Sequence, residues 1–266
     1  HQTQFNKFGE IETSKGTNKY GTLSFFSTQG RFDLEEIKKK SKNKKLVWEI
    51  FPFGDKSWIE KQIKNAEKLK CLAVSFCFDA NVRSQRYMDI ETGYDARKHG
   101  IRQMEPPPDP SLSRQYDWDF IKWLKKKTKL KIIPKGLINI NDIKKIDKIL
   151  GDFIWVSNHG GRMFNSGISP VNVLRRLKKK KIKLKSKIIV DGGVRKGSDI
   201  LKYICLGADY VGIGRPVIFG LISDGYLGVE KIFKILEYEA LTAMINGGFG
   251  SLKELSYERL MFNEEI

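Results

Sequence analysis

The sequence predicts a parallel α/β barrel, on three observations. Short apolar runs alternate with helical patterns at intervals of about 20 to 50 residues, which is typical of βα units. Three polar, glycine-containing segments each begin where an apolar run ends, at 157–164, 191–197 and 212–216. The carboxyl ends of barrel strands carry the active sites of such proteins. The length, 266 residues, fits one barrel domain, which we expect over residues 1–266.

Seven strands are predicted from runs rich in β-branched and aromatic residues. They lie near 22–27, 46–51, 72–78, 131–135, 153–157, 187–190 and 209–213. Helices are predicted between them at 56–69, 117–127, 142–150, 170–179 and 197–205, with a closing pair near 228–246 and 251–260. Seven strands are one fewer than a closed (β/α)8 barrel contains. The long, polar, proline-bearing stretch at about 80–116 is expected to be a lid-like insertion.

Composition limits the class of protein. No run of 18 apolar residues is present, so no membrane span is expected. Three scattered cysteines are too few for a disulfide framework or a zinc site, so we expect no metal and a reducing compartment. No targeting signal is recognised, which favours an intracellular protein, cytoplasmic or peroxisomal.

The net charge is +18, and lysines cluster at 38–45, 125–131 and 178–187. Such a charge raises affinity for nucleic acid and anionic membranes. The clusters lack interleaved aromatic residues that could stack on bases, so we do not expect a nucleic-acid partner. A solvated lysine-rich surface is the favoured interpretation, and a polyanion partner remains the alternative.

The first polar segment, Ser-Asn-His-Gly-Gly-Arg at 157–162, carries a base and a cation. His159 is suited to proton transfer near neutral pH, and Arg162 can hold a carboxylate with two hydrogen bonds. The other two segments, Asp-Gly-Gly-Val-Arg at 191–195 and Gly-Arg at 214–215, offer backbone N–H groups and arginines to a phosphate. Two ordinary tight turns are the alternative. Lys135 ends another predicted strand and adds a cation, although a lone lysine is more often a surface residue.

Together these segments make the chain resemble the FMN-dependent α-hydroxy acid oxidases and dehydrogenases, such as glycolate oxidase, lactate oxidase and mandelate dehydrogenase. The resemblance runs from about residue 9 to residue 257, and Ser-Asn-His-Gly-Gly-Arg is the family's signature. It implies a (β/α)8 TIM barrel, FMN as cofactor, a small (S)-2-hydroxy acid as substrate, oxygen as electron acceptor and a homotetramer. Gly9-Glu10 align with the family's first barrel helix, so the first barrel strand is expected to be absent from this chain.

The resemblance also implies roles for individual residues. His159 corresponds to the base that takes a proton from the substrate, and Asp79 to the acid that orients it. Arg86 and Arg162 correspond to the two clamps on the substrate carboxylate, and Lys135 to the lysine beside the flavin N1/O2 edge. Further positions that correspond to FMN contacts are Ser27, Ser157, Asp191, Gly192, Gly193, Val194, Arg195, Gly214 and Arg215.

Three positions depart from the family's pattern. Phe51 replaces a tyrosine that hydrogen-bonds substrate, and a phenyl ring cannot donate. Glu49 replaces a glutamine at the flavin's pyrimidine edge, and Cys77 replaces a threonine that faces the flavin. These substitutions and the missing strand leave a second hypothesis open, in which the chain is a catalytically impaired homologue with weak or no FMN binding.

Overall fold

The computed structural model describes residues 2–51, 54–80, 87–94, 116–163 and 167–262. Within these ranges, seven parallel strands form one sheet in chain order. The strands are β1 (Ser24–Ser27), β2 (Leu46–Ile50), β3 (Ala73–Cys77), β4 (Lys131–Lys135), β5 (Phe153–Val156), β6 (Lys187–Val190) and β7 (Tyr210–Val211). Because all the strands are parallel, their carboxyl ends share one edge of the barrel and their amino ends share the other. We call these the carboxyl edge and the amino edge.

Nine helices accompany the strands in the described ranges. They are α1 (Gly9–Tyr20), α2 (Leu34–Ser41), α3 (Lys56–Lys68), α4 (Tyr87–Glu91), α5 (Trp118–Lys127), α6 (Ile140–Ile149), α7 (Pro170–Lys179), α8 (Gly197–Cys205) and α9 (Arg215–Asn246). Asp33, Asp55, Asp117 and Asn139 cap α2, α3, α5 and α6, each accepting a hydrogen bond from a first-turn N–H. None of these helices is long and apolar enough to cross a bilayer.

The barrel interior follows from strand alternation, since every second side chain points inward. A layer of packed residues crosses the lumen: Val47, Ala73, Ile133, Trp155 and Ile189, with Phe25 and Phe153 against them. The outward faces of the strands pack on the helices in two larger clusters. One step nearer the carboxyl edge, the inward positions change to polar or ionisable residues, among them Glu49, Cys77, Lys135 and Ser157. The core therefore forms a floor beneath a polar rim.

The predicted strands are confirmed, with ends that differ by one or two residues. Of the predicted closing helix pair, the helix near 228–246 is confirmed as the second part of α9, and the helix near 251–260 is wrong. α9 begins at Arg215, is kinked at Asp224 and Gly225, and continues to Asn246, while 251–260 forms two 3-10 turns. Pro216 lies in the first turn of α9, where its missing N–H costs nothing, and this explains the earlier start.

Helix α1 was not predicted from periodicity, because its sequence has almost no apolar stripe, and only the resemblance placed the start of a helix at Gly9. It instead buries small and polar residues, including Gly16 and Thr17, against α9 and its neighbours. A Cβ on Gly16 would lie 2.6 Å from the backbone oxygen of Tyr226, so the two helices approach closely only because this residue is glycine. Of the predicted insertion at about 80–116, the structure describes Ala80, Tyr116 and 87–94, and the rest of that prediction lies outside the described residues.

A glycine pair inside α9 yields a stability prediction. A Cβ on Gly228 would lie 1.9 Å from the Gly220 carbonyl oxygen, so the two halves of the kinked helix meet backbone to backbone. We expect Gly228→Ala to lower the free energy of unfolding by about 1–3 kcal/mol, the usual cost of overpacking. Leu241→Ala, at a 54% exposed position of the same helix, should change it by less than about 0.5 kcal/mol. Urea denaturation measures both, and equal midpoints for the two variants would contradict the packing argument.

Candidate active site

Two side chains from neighbouring parts of the carboxyl edge form a hydrogen-bonded pair. Asp79 follows β3, His159 follows β5, and His159 Nδ1 lies 3.1 Å from Asp79 Oδ1. A carboxylate only accepts, so Nδ1 carries the hydrogen and Nε2 is left as the basic nitrogen. Burial raises the pKa of Asp79, but the hydrogen bond from His159 and the charge of Lys135 outweigh it and hold that pKa below its ordinary value. The pair is therefore an ionised acid that orients a base.

Cys77 is a third member of this group. Its Sγ donates to Asp79 Oδ1 over 2.9 Å and lies 3.6 Å from His159 Nδ1. The atoms of Cys77, Asp79 and His159 that could bind a metal ion all lie within 4.8 Å of one another. Burial raises the pKa of the Cys77 thiol well above its ordinary value, so it remains protonated and able to donate. The residue that the resemblance assigned to the flavin face thus supports the Asp–His pair.

The turn that carries His159 is held in an unusual backbone conformation. His159 has φ 55°, and the two glycines after it, Gly160 and Gly161, have φ 67° and 74°. The turn is fixed from both sides: the His159 N–H donates to Ser157 Oγ over 3.1 Å, and Arg215 Nη2 donates to the Gly160 carbonyl over 3.1 Å. Non-glycine residues in this conformation persist where surrounding contacts determine them, often at functional sites.

Lys135 is a buried cation at the end of β4. Its Nζ lies 3.9 Å from Glu49 Oε2 and 5.3 Å from the centre of the Trp155 ring. Burial alone would lower the pKa of Lys135, but the negative charges of Glu49, Asp191 and Asp79 raise it above its ordinary value. Asp191 shows the reverse balance: burial raises its pKa, and Lys135 only partly opposes this. Lys135 therefore stays positively charged on the rim, where acidic side chains surround it.

The two glycine segments leave open space above their backbones. Gly192 and Gly193 have φ 102° and 73°, and the Tyr203 hydroxyl donates to the Gly192 carbonyl over 2.7 Å, which fixes this turn. A Cβ on Gly193, or on Gly214 at the start of α9, would meet nothing within 4 Å. Val194 is buried below the turn, whereas Arg195 and Arg215 are exposed at it. Exposed N–H groups, a helix start and two arginines suit an anion.

A small cavity of about 140 Å³ lies at the first strands. Ser27 and Glu49 line it, together with Gln2, Glu10, Phe25, Phe26 and Gly30. His159 and Asp79 do not line it. Phe51 lies nearer the pair, buried, with its ring centre 6.2 Å from that of His159 in an edge-to-face arrangement. Phe51 thus packs against the His159 ring, and its phenyl side chain has no polar atom that could form a hydrogen bond.

Of the two arginines predicted to bind the substrate carboxylate, only one lies within the described residues. Arg162 is exposed, three residues after His159 on the same turn. Arg86 lies outside the described residues. Trp155 was not singled out from the sequence, although the alternation Phe153, Trp155, Ser157 could have placed it on the inward face. Its indole nitrogen is buried with no hydrogen-bond partner among the described residues.

Comparison with known proteins identifies the family. Residues 1–261 match the family described as FMN-dependent dehydrogenase. The chain belongs to this family. It is 33% identical over 275 residues to L-lactate dehydrogenase (cytochrome) of Saccharomyces cerevisiae, covering 95% of this chain and 46% of that protein. It is 28% identical over 272 residues to 2-hydroxyacid oxidase of Dictyostelium discoideum, covering 96% of this chain and 69% of that protein. The chain thus spans less than half of one of these relatives and about two thirds of the other.

Solved structures of the family have the same fold. Mandelate oxidase with benzoyl-formic acid matches with a TM-score of 0.86 at 25% identity, covering 95% of this chain and 73% of that one. A flavocytochrome b2 mutant matches with a TM-score of 0.81 at 33% identity, covering 96% of this chain and 65% of that one. The predicted fold class, an α/β TIM barrel without the family's first strand, is confirmed, with seven strands in the part of the chain that the structure describes.

The residues present fit the family's FMN. A phosphate needs N–H donors and space, which the turns at Gly193 and Gly214 provide. A flavin ring carries hydrogen-bonding edges, and two buried polar atoms of the rim, Asp191 Oδ1 and Trp155 Nε1, have no partner among the described residues. Lys135 is a buried cation on the same rim, and a positive charge beside a flavin ring tunes its electronics. Glu49 fits less well than an amide, because it cannot donate a hydrogen bond.

Proposed function

We propose that this chain oxidises a small (S)-2-hydroxy acid to the 2-oxo acid with FMN as the cofactor. The single observation that carries the proposal is the His159–Asp79 pair at the carboxyl edge, on the same rim as the buried cation Lys135. Oxidation of a 2-hydroxy acid requires a base for the substrate proton and a partner for two electrons. FMN, when bound, accepts those electrons.

The proposal gives the following roles to the chain's own residues. His159 Nε2 takes the proton from the substrate, and ionised Asp79, bonded to Nδ1, stabilises the charge that His159 then carries. Cys77 donates to the same carboxylate and keeps Asp79 oriented. Arg162, on the turn of His159, holds the substrate carboxylate, and the resemblance to the family gives the same role to Arg86, which lies outside the described residues. Buried Lys135 stabilises negative charge on the rim.

Binding of the cofactor phosphate is assigned to the two glycine turns. The backbone from Asp191 to Arg195 and the start of α9 at Gly214 and Arg215 would hold it, and Ser27, Glu49, Cys77 and Ser157 would lie nearer the ring. Arg195 and Arg215 are exposed and can neutralise the phosphate charge. Arg215 has a second task, because its bond to Gly160 links the phosphate turn to the turn of the base.

A reconstitution experiment tests the proposal. The purified chain with added FMN should take up a yellow chromophore, and a short (S)-2-hydroxy acid such as (S)-lactate, added anaerobically, should bleach it. The (R)-enantiomer of lactate serves as the control. A chain that is folded by circular dichroism but takes up no FMN would overturn the proposal.

The impaired homologue is the second candidate, and two observations favour it. Phe51 packs against His159 but has no hydroxyl group that could hydrogen-bond the substrate. The Glu49 carboxylate lies 3.9 Å from Lys135, the cation that an anionic flavin would need. Loss of one substrate hydrogen bond typically costs about 1–3 kcal/mol. Bound FMN that no 2-hydroxy acid bleaches, with Phe51→Tyr restoring the reaction, would favour this candidate.

The electron acceptor and assembly are part of the same proposal. Relatives named as oxidases and as a cytochrome-dependent dehydrogenase both match the chain. We propose oxygen as acceptor and a homo-oligomer of single-domain chains in an intracellular compartment. Oxygen consumption with substrate tests the first point, and light scattering at several protein concentrations tests the second.

A glycine substitution separates cofactor binding from folding. A Cβ on Gly214 would contact nothing in the described protein, so Gly214→Ala should lower the free energy of unfolding of the FMN-free chain by no more than about 1 kcal/mol, the difference between glycine and alanine at the N-cap of α9. The same methyl group would occupy space proposed for the phosphate, and we expect FMN affinity to fall about tenfold or more. Flavin fluorescence titration and urea denaturation measure the two effects. Unchanged FMN affinity would remove Gly214 from the phosphate site.

A further inference from the structure

The fold collects the lysine clusters of the sequence at one end of the molecule. Helices α2, α3, α5 and α7 end at the amino edge, and the lysine clusters lie at these helix ends and in the turns that lead into β2, β3, β4 and β6. Segments 39–45, 68–70, 125–131 and 178–187 contain nineteen exposed lysines. None of the four segments contains an acidic residue, an arginine or an aromatic residue. We call these four segments the lysine ring.

Contacts between successive segments show that the ring is continuous. Lys45 Nζ donates to the Gly21 carbonyl ahead of β1 over 2.6 Å, and Lys38 Nζ donates to the Leu69 carbonyl ahead of β3. Further round, Thr128 Oγ1 donates to Glu67 Oε1 over 2.6 Å, joining the segments before β4 and β3. Lys131 pairs with Asp152 at 2.6 Å, and the Lys187 N–H donates to the Asp152 carbonyl over 2.9 Å, so Asp152 joins the segments before β4 and β6. Segments far apart in sequence therefore form one cationic face.

The same edge carries exposed apolar side chains. Leu23, Leu72 and Tyr210 stand at the starts of β1, β3 and β7 and are 37%, 49% and 46% exposed. Large apolar side chains among lysines are typical of a surface that binds lipid headgroups and places a few residues at the acyl boundary. Lysines near an anionic lipid surface contribute additively to binding.

We propose that the lysine ring binds an anionic membrane surface. The composition of the lysine ring disfavours a nucleic-acid partner. Bases stack on aromatic side chains, arginine binds phosphate groups through two hydrogen bonds, and the ring contains neither residue type. The ring lies at the opposite end of the strands from His159, about 15 Å away for a five-residue strand. The membrane would therefore cover the amino edge and leave the candidate active site open to solution. This inference is independent of the proposed oxidation.

Vesicle sedimentation tests the proposal with two matched charge-reversal variants. The ring variant carries Lys126→Glu, Lys129→Glu, Lys180→Glu and Lys183→Glu. The control variant carries Lys7→Glu, Lys61→Glu, Lys144→Glu and Lys231→Glu, exposed lysines on helix flanks and beside the start of α1. Both variants change the net charge equally. The probes are phosphatidylserine–phosphatidylcholine vesicles and phosphatidylcholine vesicles, each at low and at high salt.

We expect the unmodified chain to bind the phosphatidylserine vesicles in a salt-sensitive manner and not the neutral ones. The ring variant should bind about 1,000-fold more weakly, and the control variant less than tenfold more weakly. Equal losses in the two variants would overturn the proposal, since net charge alone would then explain binding. Binding of a polyuridine RNA without binding of the anionic vesicles would also overturn it, in favour of a nucleic-acid partner.

Discussion

Replacing His159 with asparagine should lower turnover of a 2-hydroxy acid by about 10²–10⁴-fold, the usual contribution of a positioned general base. Asparagine is the substitution of choice because the residue has φ 55°, a conformation that asparagine tolerates better than most residues. FMN binding should change little, whereas the free energy of unfolding should fall, because the His159 side chain is only 22% exposed, packs against Phe51 and hydrogen-bonds Asp79. Anaerobic stopped-flow bleaching of the flavin measures the effect directly.

Asp79→Asn is the matched test of the orienting acid. An asparagine amide can donate to Nδ1, which would place the proton on Nε2 and remove the base. We expect a smaller fall in turnover than for His159→Asn, together with a shift of the pH profile.

Because the folded pKa of Asp79 is depressed, its contribution to stability is present above its unfolded pKa and is lost as pH falls through the folded pKa. Turnover by His159→Asn equal to that of the unmodified chain would show that the pair is not the base.

Replacing Lys135 with methionine should lower the free energy of unfolding by about 3–5 kcal/mol, the cost of leaving buried charge without its partner. Lys135 is only 8% exposed, and the carboxylates of Glu49 and Asp191 lie around it. The raised pKa of Lys135 means that this stabilisation is complete below the unfolded pKa of lysine and fades only as pH rises through the folded one. FMN affinity should fall as well. Thermal unfolding and flavin titration give the two readouts.

The double variant Lys135→Met/Glu49→Gln separates charge from packing. Because the glutamine removes the orphaned carboxylate, it should recover a large part of the lost stability, while FMN binding should recover less. Lys135→Arg keeps the charge and should be less destabilising than methionine. If Lys135→Met were as stable as the unmodified chain and bound FMN equally, the buried cation would have neither role.

The chemistry-bearing residues of the rim could be read from the sequence because each stands directly after an apolar run. Strand periodicity is local, and residues at strand ends of a parallel sheet must meet at one edge. This is why Lys135 and His159 could be expected on one rim, whereas Asp79, 80 residues before His159, was implied only by the resemblance to the family. Helix α1 could not be read in this way, since its buried face is built from glycine, serine and threonine rather than from apolar residues.

Partnerships between side chains depended on the tertiary structure. Cys77 matched a flavin-facing position, yet its sulfur donates to Asp79, because strand alternation aims both at the same turn. Glu49 and Phe51 looked like losses in the sequence. In the structure, Glu49 lies 3.9 Å from Lys135 and Phe51 packs against His159, so both have local partners. No sequence pattern encodes such distances between strands.

The sequence by itself determined the fold class, the family and the rim on which chemistry would lie, since these depend on periodicity and on motifs within single segments. It also contained the lysine clusters, but only as separate runs. The tertiary structure decided how closely Asp79 approaches His159, that Lys135 is buried among acids, and that the lysine runs form one face at the opposite end. The physical reason is common to all three. Parallel strands bring equivalent ends of distant segments together, so contacts across the barrel depend on strand register and packing rather than on any local sequence signal.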